Sequence, residues 1–183
     1  MVAVVGSPRE HGNSSLLVDV VLDELARRGL RVEKLMLGER RVAGCLGHDD
    51  CAERRVCALG DDASDILDAV YAADGLILAT PVYYENVSAQ MKAFMDRNVF
   101  RYAHEEWLRA SVVGLVAVTA ETGLDETLAA LRRYVALSTD GEVPTFSMGG
   151  YADTEGAAAE KPELLAAARK LAVDLAEALL SPT

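Results

Sequence analysis

The chain has 183 residues, 51% of them apolar and 26% charged, which fits one ordinary globular domain and excludes a disordered or fibrous chain. Its formal net charge of −11 disfavours binding to nucleic acid or to a membrane surface, because both carry negative charge. The three cysteines all lie within Cys45–Cys57, no secretory signal is visible, and no apolar stretch approaches the ~20 residues of a membrane-spanning helix. We therefore expect a cytoplasmic protein that forms a single domain over residues 1–183.

Short apolar runs alternate with helical patterns along the chain. The predicted strands, which are apolar on both faces, are Val2–Val5, Leu30–Leu37, Gly75–Ala79, Ser111–Thr119 and Glu142–Met148. The predicted helices, which end at or near glycine or polar residues, are Ser14–Arg28, Ala63–Ala73, Ser88–Arg97, Leu124–Leu137 and Pro162–Leu180. With right-handed crossovers, this alternation predicts an α/β doubly wound sandwich, a five-stranded parallel sheet with helices on both faces. The stretch Gly149–Lys161 is small and polar and is predicted to be a surface loop.

Ligands of such sheets bind at the carboxyl ends of the strands, so we take three loops as candidates: Gly6–Ser15, Thr80–Ser88 and Thr119–Asp125. The first lies between a strand and a helix and is rich in hydroxyl and amide side chains. A helix N-terminus offers free N–H groups and partial positive charge, so this loop suits a phosphate monoester. It matches neither the dinucleotide nor the nucleoside-triphosphate fingerprint. An ordinary turn, with Asn13 or Ser14 capping the helix, would explain the same residues.

The second loop combines a rigid proline with two adjacent tyrosines. Tyr83 or Tyr84 would lie against a flat heteroaromatic ring, while N–H groups of the loop would bond the edge of that ring. The alternative is that one tyrosine belongs to the core and the other to the surface. In the helix that follows, Met91, Phe94 and Met95 share one face and are expected to pack rather than to contact a cofactor.

Two parts of the chain carry a family resemblance. They are Gly6-Ser7-Pro8-Arg9 with Gly12-Asn13-Ser14, and Pro81-Val82-Tyr83 with the segment Ser88–Arg97. In this combination the chain resembles the NADPH-dependent FMN reductase family, up to about Arg97 and more weakly beyond it. The resemblance implies a flavodoxin-like fold with strand order 2-1-3-4-5, FMN as cofactor and NADPH or NADH as co-substrate. It also implies a homodimer or homotetramer.

The resemblance further implies which residues bind FMN. Its phosphate would be held by the first loop, through Ser7, Arg9, Asn13, Ser14 and Ser15. Its isoalloxazine ring would be lined by the second, through Pro81, Val82, Tyr83, Tyr84 and Asn86. The third would approach the ring through Thr119, Glu121, Thr122 and Gly123. No side chain is assigned as a catalytic acid or base.

A separate segment spaces Cys45, His48, Cys51 and Cys57 as Cys-x2-His-x2-Cys-x5-Cys. Iron–sulfur flavoproteins, which are related to the same family, carry cysteine at all four of these positions and bind a 4Fe–4S cluster. Such clusters usually take four thiolates, and three cysteines with one histidine also form a zinc set. The third reading, which we favour, is a loop of small, half-buried thiols without a metal.

These observations favour an FMN-dependent oxidoreductase that takes hydride from NADPH or NADH. Its electrons would pass to a small-molecule acceptor such as a flavin, a quinone or a nitro- or azo-aromatic compound. The alternatives are a flavodoxin-like or iron–sulfur flavoprotein electron carrier, and a flavin-free structural module. The aromatic connector Asn98–Arg109 is a dimer contact, a lid over the flavin or a cap on the core.

Overall fold

The sheet of the computed structural model, which describes residues 1–180, contains five parallel strands in the order β2-β1-β3-β5-β6. The short β4 pairs with the end of β3 and runs antiparallel to it. The flavodoxin-like order 2-1-3-4-5 is confirmed for the five main strands, and β4 was not predicted. The bounds are β1 Val2–Val5, β2 Glu33–Met36, β3 Leu76–Tyr83, β4 Asn86–Val87, β5 Val113–Thr119 and β6 Thr145–Tyr151.

Helices cover both faces of this sheet, as the apolar strands require. One face carries the first and last helices over a core that includes Leu17, Val21 and Leu171. The other face carries three helices over a core that includes Ile66, Phe94 and Leu131. The bounds are α1 Asn13–Arg27, α2 Ala63–Ala72, α3 Ala89–Arg97, α4 Val99–Ala103, α5 Leu124–Ser138 and α6 Pro162–Leu180. No helix among residues 1–180 is both long enough and apolar enough to cross a membrane.

The third strand runs four residues further than predicted, through a proline that looks like a stop signal. Strand β1 ends at Val5 opposite Ala79, and Gly6 N–H still donates to the Ala79 carbonyl. Backbone polar groups alternate sides along a strand, so the nitrogen of Pro81 also faces the β1 side, beyond the end of β1. The missing N–H therefore breaks no bond of the sheet, and the strand continues to Tyr83.

Strand β6 begins and ends three residues later in the chain than the predicted strand, Glu142–Met148. The prediction ended too early because Gly149 and Gly150 looked like the start of a loop. Both glycines lie inside β6 and face leucines. A Cβ on Gly149 would come 2.7 Å from Leu124, and one on Gly150 would come 2.1 Å from Leu164. The glycines therefore let helices pack closely on the strand instead of ending it.

Candidate functional site

A cavity of about 210 Å³ opens at the carboxyl ends of β1, β3, β5 and β6. All three predicted loops reach this edge of the sheet, as expected for a doubly wound fold. Four of the predicted phosphate residues and three of the predicted ring residues line the cavity: Ser7, Arg9, Asn13, Ser14, Pro81, Val82 and Tyr83. The other predicted residues do not line it: Ser15, Tyr84, Asn86, Thr119, Glu121, Thr122 and Gly123.

The loop after β1 is folded tightly around the hydroxyl of Ser7. That hydroxyl donates to the Arg9 carbonyl at 2.9 Å and accepts from the Arg9 N–H at 3.1 Å. A Cβ on Gly12 would come 2.5 Å from the same oxygen, so this position requires glycine. Gly12 precedes the first residue of α1, and no side chain caps that helix. The alternative of Asn13 or Ser14 as the N-cap is therefore wrong.

Ser14 provides the clearest polar group of the cavity. It lies in the first turn of α1 and is 1% exposed, and its hydroxyl oxygen is buried without a hydrogen-bond partner among residues 1–180. Buried hydroxyls in proteins are almost always bonded, so this hydroxyl, on a residue that lines the cavity, is available to a ligand there. A phosphate oxygen at the N-terminus of α1 would satisfy it together with the free N–H groups of the first turn.

Asn13 and Ser15 support the loop in another way. The Asn13 amide donates to the carbonyls of Ala152 at 3.3 Å and Thr154 at 2.8 Å, and its oxygen accepts from the N–H of Ala158 at 3.0 Å. The Ser15 hydroxyl donates to the Glu10 carbonyl at 2.6 Å. These bonds fix the loop against the segment after β6, so both side chains are already engaged within the protein.

The ring side of the cavity is a hairpin between β3 and β4. Its two central residues, Tyr84 and Glu85, have φ values of 53° and 60°, which is the left-handed conformation that two-residue hairpin turns require. Side chains other than glycine, asparagine or aspartate are unusual there, so the turn is strained. Tyr83 is 42% exposed and Tyr84 fully exposed, so neither belongs to the core, and the alternative of one core tyrosine is wrong.

The third loop lies against this hairpin. The Thr122 hydroxyl donates to the Glu85 carboxylate at 3.1 Å, and a Cβ on Gly123 would come 2.5 Å from Glu85 Cα. Within the loop, the Thr119 hydroxyl donates to the Thr122 carbonyl at 2.6 Å and accepts from the Glu121 N–H at 3.2 Å. The loop therefore contacts the hairpin at Glu85 through Thr122 and Gly123, which do not line the cavity. Val118 and Ala120 do line it.

Sequence reasoning missed two parts of the site. Ala152, Asp153 and Thr154 line the cavity from the exit of β6, a strand end that the same rule would have included. The buried Ser88 caps α3 by accepting from the Met91 N–H at 3.1 Å, and it donates to the Gly6 carbonyl at 2.6 Å. It thereby joins the start of the phosphate loop to the helix that follows the hairpin. The N-cap position was visible in the sequence, but its partner was not.

The cysteine segment lies away from this cavity. Cys45 and His48 are exposed, and Cys51 and Cys57 are half-buried free thiols. Burial, and then the neighbouring thiols, raise the pKa of the Cys51 thiol. The Cys57 sulfur accepts from the Arg97 guanidinium at 3.1 Å. Across residues 1–180, no three histidine, cysteine or acidic side chains converge on a point where a metal ion would bind.

The connector after α3 is tied to the cysteine segment and to the core. The two His104 ring nitrogens lie 2.7 Å from the Phe100 carbonyl and 2.9 Å from the Arg54 carbonyl. Asn98 accepts from the hydroxyls of Tyr71 at 2.7 Å and Tyr134 at 3.3 Å. Burial raises the pKa of Tyr71 to about 12 and raises that of Tyr134 further, so both phenols stay protonated and structural.

Comparison with known proteins agrees with this geometry. The model of the family described as NADPH-dependent FMN reductase matches residues 1–151. An iron-sulfur flavoprotein of Archaeoglobus fulgidus is 36% identical over 98% of this chain and 80% of its own length. One of Methanocaldococcus jannaschii is 40% identical over 66% of this chain and 62% of its own length.

Solved structures give the same fold at low identity. An NADH:FMN oxidoreductase superposes with a TM-score of 0.70 at 19% identity, covering 99% of this chain and 90% of its own. An NAD(P)H:quinone oxidoreductase from Methanothermobacter marburgensis superposes with a TM-score of 0.68 at 16% identity, covering 95% of this chain and 94% of its own. At these identities the likeness shows the flavodoxin-like fold alone.

The two cofactors that these names imply differ in how they fit. FMN fits the cavity, because the buried Ser14 hydroxyl and the N-terminus of α1 provide donors that a phosphate would satisfy. An iron–sulfur cluster does not fit the segment at Cys45–Cys57, because one of the four ligand positions is an exposed histidine and no three such side chains converge on a metal position among residues 1–180. From the family match over residues 1–151 and the fold, the chain belongs to the NADPH-dependent FMN reductase family and is an FMN-dependent oxidoreductase.

Proposed function

We propose that this chain takes hydride from NADH or NADPH and delivers electrons to a small acceptor such as a free flavin, a quinone or a nitro- or azo-aromatic compound. FMN supplies the redox chemistry when it is bound, and the protein contributes binding, orientation and electrostatics. We propose that the whole chain acts as one domain, with a single flavin site. The alternative of an electron carrier without nicotinamide activity is not favoured by the family match.

The buried hydroxyl of Ser14 carries this proposal. Ser14 lines the cavity from the first turn of α1 and is 1% exposed, and its buried hydroxyl has no partner within the described protein. We propose that it donates to the FMN phosphate, with the N–H groups of the α1 N-terminus beside it. Arg9 also lines the cavity, with its side chain 58% exposed and 3.9 Å from the Glu155 carboxylate, and we propose that it turns its positive charge toward the same anion.

The isoalloxazine ring then belongs at the hairpin. Pro81, Val82 and Tyr83 line the cavity from the end of β3, and the apolar Val118 and Ala120 line it from the end of β5 and the loop that follows. We propose that main-chain N–H groups of the hairpin and of the loop after β5 donate to the pyrimidine edge. Donors placed there stabilise the negative charge that the ring acquires on reduction. Thr122 and Gly123 contact the strained hairpin at Glu85 and hold it in this position.

The test is a comparison of FMN with riboflavin, followed by anaerobic reduction. Purified protein should show the two flavin absorption bands, and FMN should bind far more tightly than riboflavin, which lacks the phosphate. NADH or NADPH added anaerobically should bleach the bound flavin, and a small acceptor should restore the colour. Equal affinity for riboflavin would contradict the assigned phosphate loop, and failure of both nicotinamides to bleach the flavin would contradict the hydride route.

We also propose a homodimer or homotetramer in the cytoplasm. An apolar hollow between α3, α4 and α5 is lined by Val99, Tyr102 and Leu137, which are 49%, 67% and 55% exposed. Exposed apolar side chains grouped in this way are typical of protein contacts. The three free thiols are typical of a reducing compartment. Light scattering after gel filtration measures the assembly directly, and a monomer at micromolar concentration would contradict it.

A further inference from the structure

We propose that the segment at Cys45–Cys57 holds no iron–sulfur cluster, and that a buried ion pair between Asp61 and Arg97 holds this segment closed instead. The relatives at 36% and 40% identity are named iron-sulfur flavoproteins, so the proposal separates this chain from them. It does not depend on the nicotinamide or the acceptor proposed above, because it concerns a segment that does not line the flavin cavity.

The first argument is the set of donors. A 4Fe–4S cluster is normally held by four thiolates, and this segment provides three cysteines. The second position is His48, which is exposed to solvent, as is Cys45. The hollow beside the segment, about 420 Å³ in volume, is lined by Cys57 but by neither of the other thiols. Although Cys45 and Cys57 lie near enough to Cys51 to raise its pKa, no three histidine, cysteine or acidic side chains among residues 1–180 converge on a metal position.

The second argument is what already contacts Cys57. Its sulfur accepts a hydrogen bond from the Arg97 guanidinium at 3.1 Å. Another nitrogen of the same guanidinium donates to the two carboxylate oxygens of Asp61 at 2.9 and 2.7 Å. The Arg97 and Asp61 side chains are 1% and 3% exposed, so this pair is part of the protein interior. Arg97 thus joins Cys57 to the buried Asp61 through a single guanidinium group.

The third argument is that hydrogen bonds between protein groups join the two ends of the segment. Asp61 accepts from the N–H of Ala43 at 2.8 Å, on the near side of the cysteines, and Arg97 donates to the Ala43 carbonyl at 3.2 Å. Asp62 accepts from the N–H of Arg41 at 2.7 Å. Both ends of the segment are thus joined to each other and to α3. Losing either partner of the Asp61–Arg97 ion pair would leave the other buried without a compensating charge. We therefore infer that this ion pair stabilises the closed segment.

The decisive experiment is reconstitution of the full chain with ferrous iron, sulfide and a reducing thiol under anaerobic conditions. The Archaeoglobus fulgidus relative, treated in parallel, controls for the procedure. After desalting, we expect this chain to retain less than a tenth of the iron and sulfide that one cluster contains. Retention of about four iron and four sulfide per chain would overturn the proposal. Retention of one zinc per chain after purification would overturn it equally.

Thermal unfolding of variants tests the brace itself. The triple variant Cys45→Ser, Cys51→Ser, Cys57→Ser should melt within about 2 °C of the native protein and keep its FMN affinity, because serine can still accept from Arg97. Arg97→Gln should melt at least about 6 °C lower, since it leaves Asp61 buried without a cation. Arg97→Lys, which keeps the charge but loses the planar fork, should lie between them. The reverse order, with the serine variant far less stable than Arg97→Gln, would show that the thiols and not the ion pair hold the segment.

Discussion

Replacing Ser14 by alanine should weaken FMN binding and, at the same time, stabilise the FMN-free protein. The hydroxyl of Ser14 is buried and unpartnered. A buried polar group in this state costs about 1–3 kcal/mol, so its removal should return roughly 1 kcal/mol to the free energy of unfolding. For a domain of this size, that change corresponds to a rise in melting temperature of about 2–4 °C.

The effect on FMN has the opposite sign. If the hydroxyl donates to the phosphate, its removal deletes a hydrogen bond to a charged group, which is worth about 1.5–3 kcal/mol. The dissociation constant should then rise about 10- to 150-fold. Riboflavin has no phosphate, so its affinity should not change. A titration of the FMN-free protein with each flavin, followed by flavin fluorescence, measures both quantities.

Thr127 provides a matched control for Ser14. Its hydroxyl is also buried and has no partner in the part of the chain that the structure describes, but Thr127 lies on α5 and does not line the cavity. Thr127→Val should stabilise the FMN-free protein to a similar degree and leave FMN affinity unchanged. If Ser14→Ala binds FMN as tightly as the native protein, or if both variants lose affinity equally, the Ser14 hydroxyl is not the phosphate donor and the reasoning fails.

Three further changes test the structure around the two sites. Gly123→Ala should lower the free energy of unfolding in urea by about 1–3 kcal/mol, because its Cβ would lie 2.5 Å from Glu85 Cα at a φ of +79°; an unchanged value would contradict the close approach. For Asp61, burial opposes ionisation, but the hydrogen bonds from Arg97 and from backbone N–H groups lower the pKa of its carboxyl. Its stabilisation is therefore complete above the unfolded pKa of about 4 and is lost as the pH falls through the lower folded-state value. Asp61→Asn should thus be less stable than the native protein in neutral melts, with a difference that shrinks below about pH 4; a constant difference would refute the ionic role. Tyr84→Asn should raise stability by up to about 1 kcal/mol, since asparagine adopts a φ of 53° more readily than tyrosine; a loss of stability in urea would mean that the exposed ring packs against the protein.

Local patterns in the sequence determined the layers, the order of strands and helices along the chain, and the first two loops of the site. Apolar runs and helical spacing are set by neighbouring residues, so they predict β1, the five long helices and the place of each loop. These patterns give a wrong prediction where the same residue type can either end a strand or lie inside it. Pro81 resembled a strand end and Gly149 the start of a loop, although both lie inside strands. Only the neighbouring strand or helix shows which use applies.

The tertiary structure decided which loops meet and what their side chains do. Asn13 lies 139 residues before its partner Ala152, Ser88 lies 82 residues after Gly6, and Arg97 lies 36 residues after Asp61. None of these bonds leaves a local periodic signal, because each depends on strand order and on the path of the crossover helices. The same holds for the unpartnered hydroxyl of Ser14, since a side chain can be recognised as lacking a partner only when everything around it has been placed.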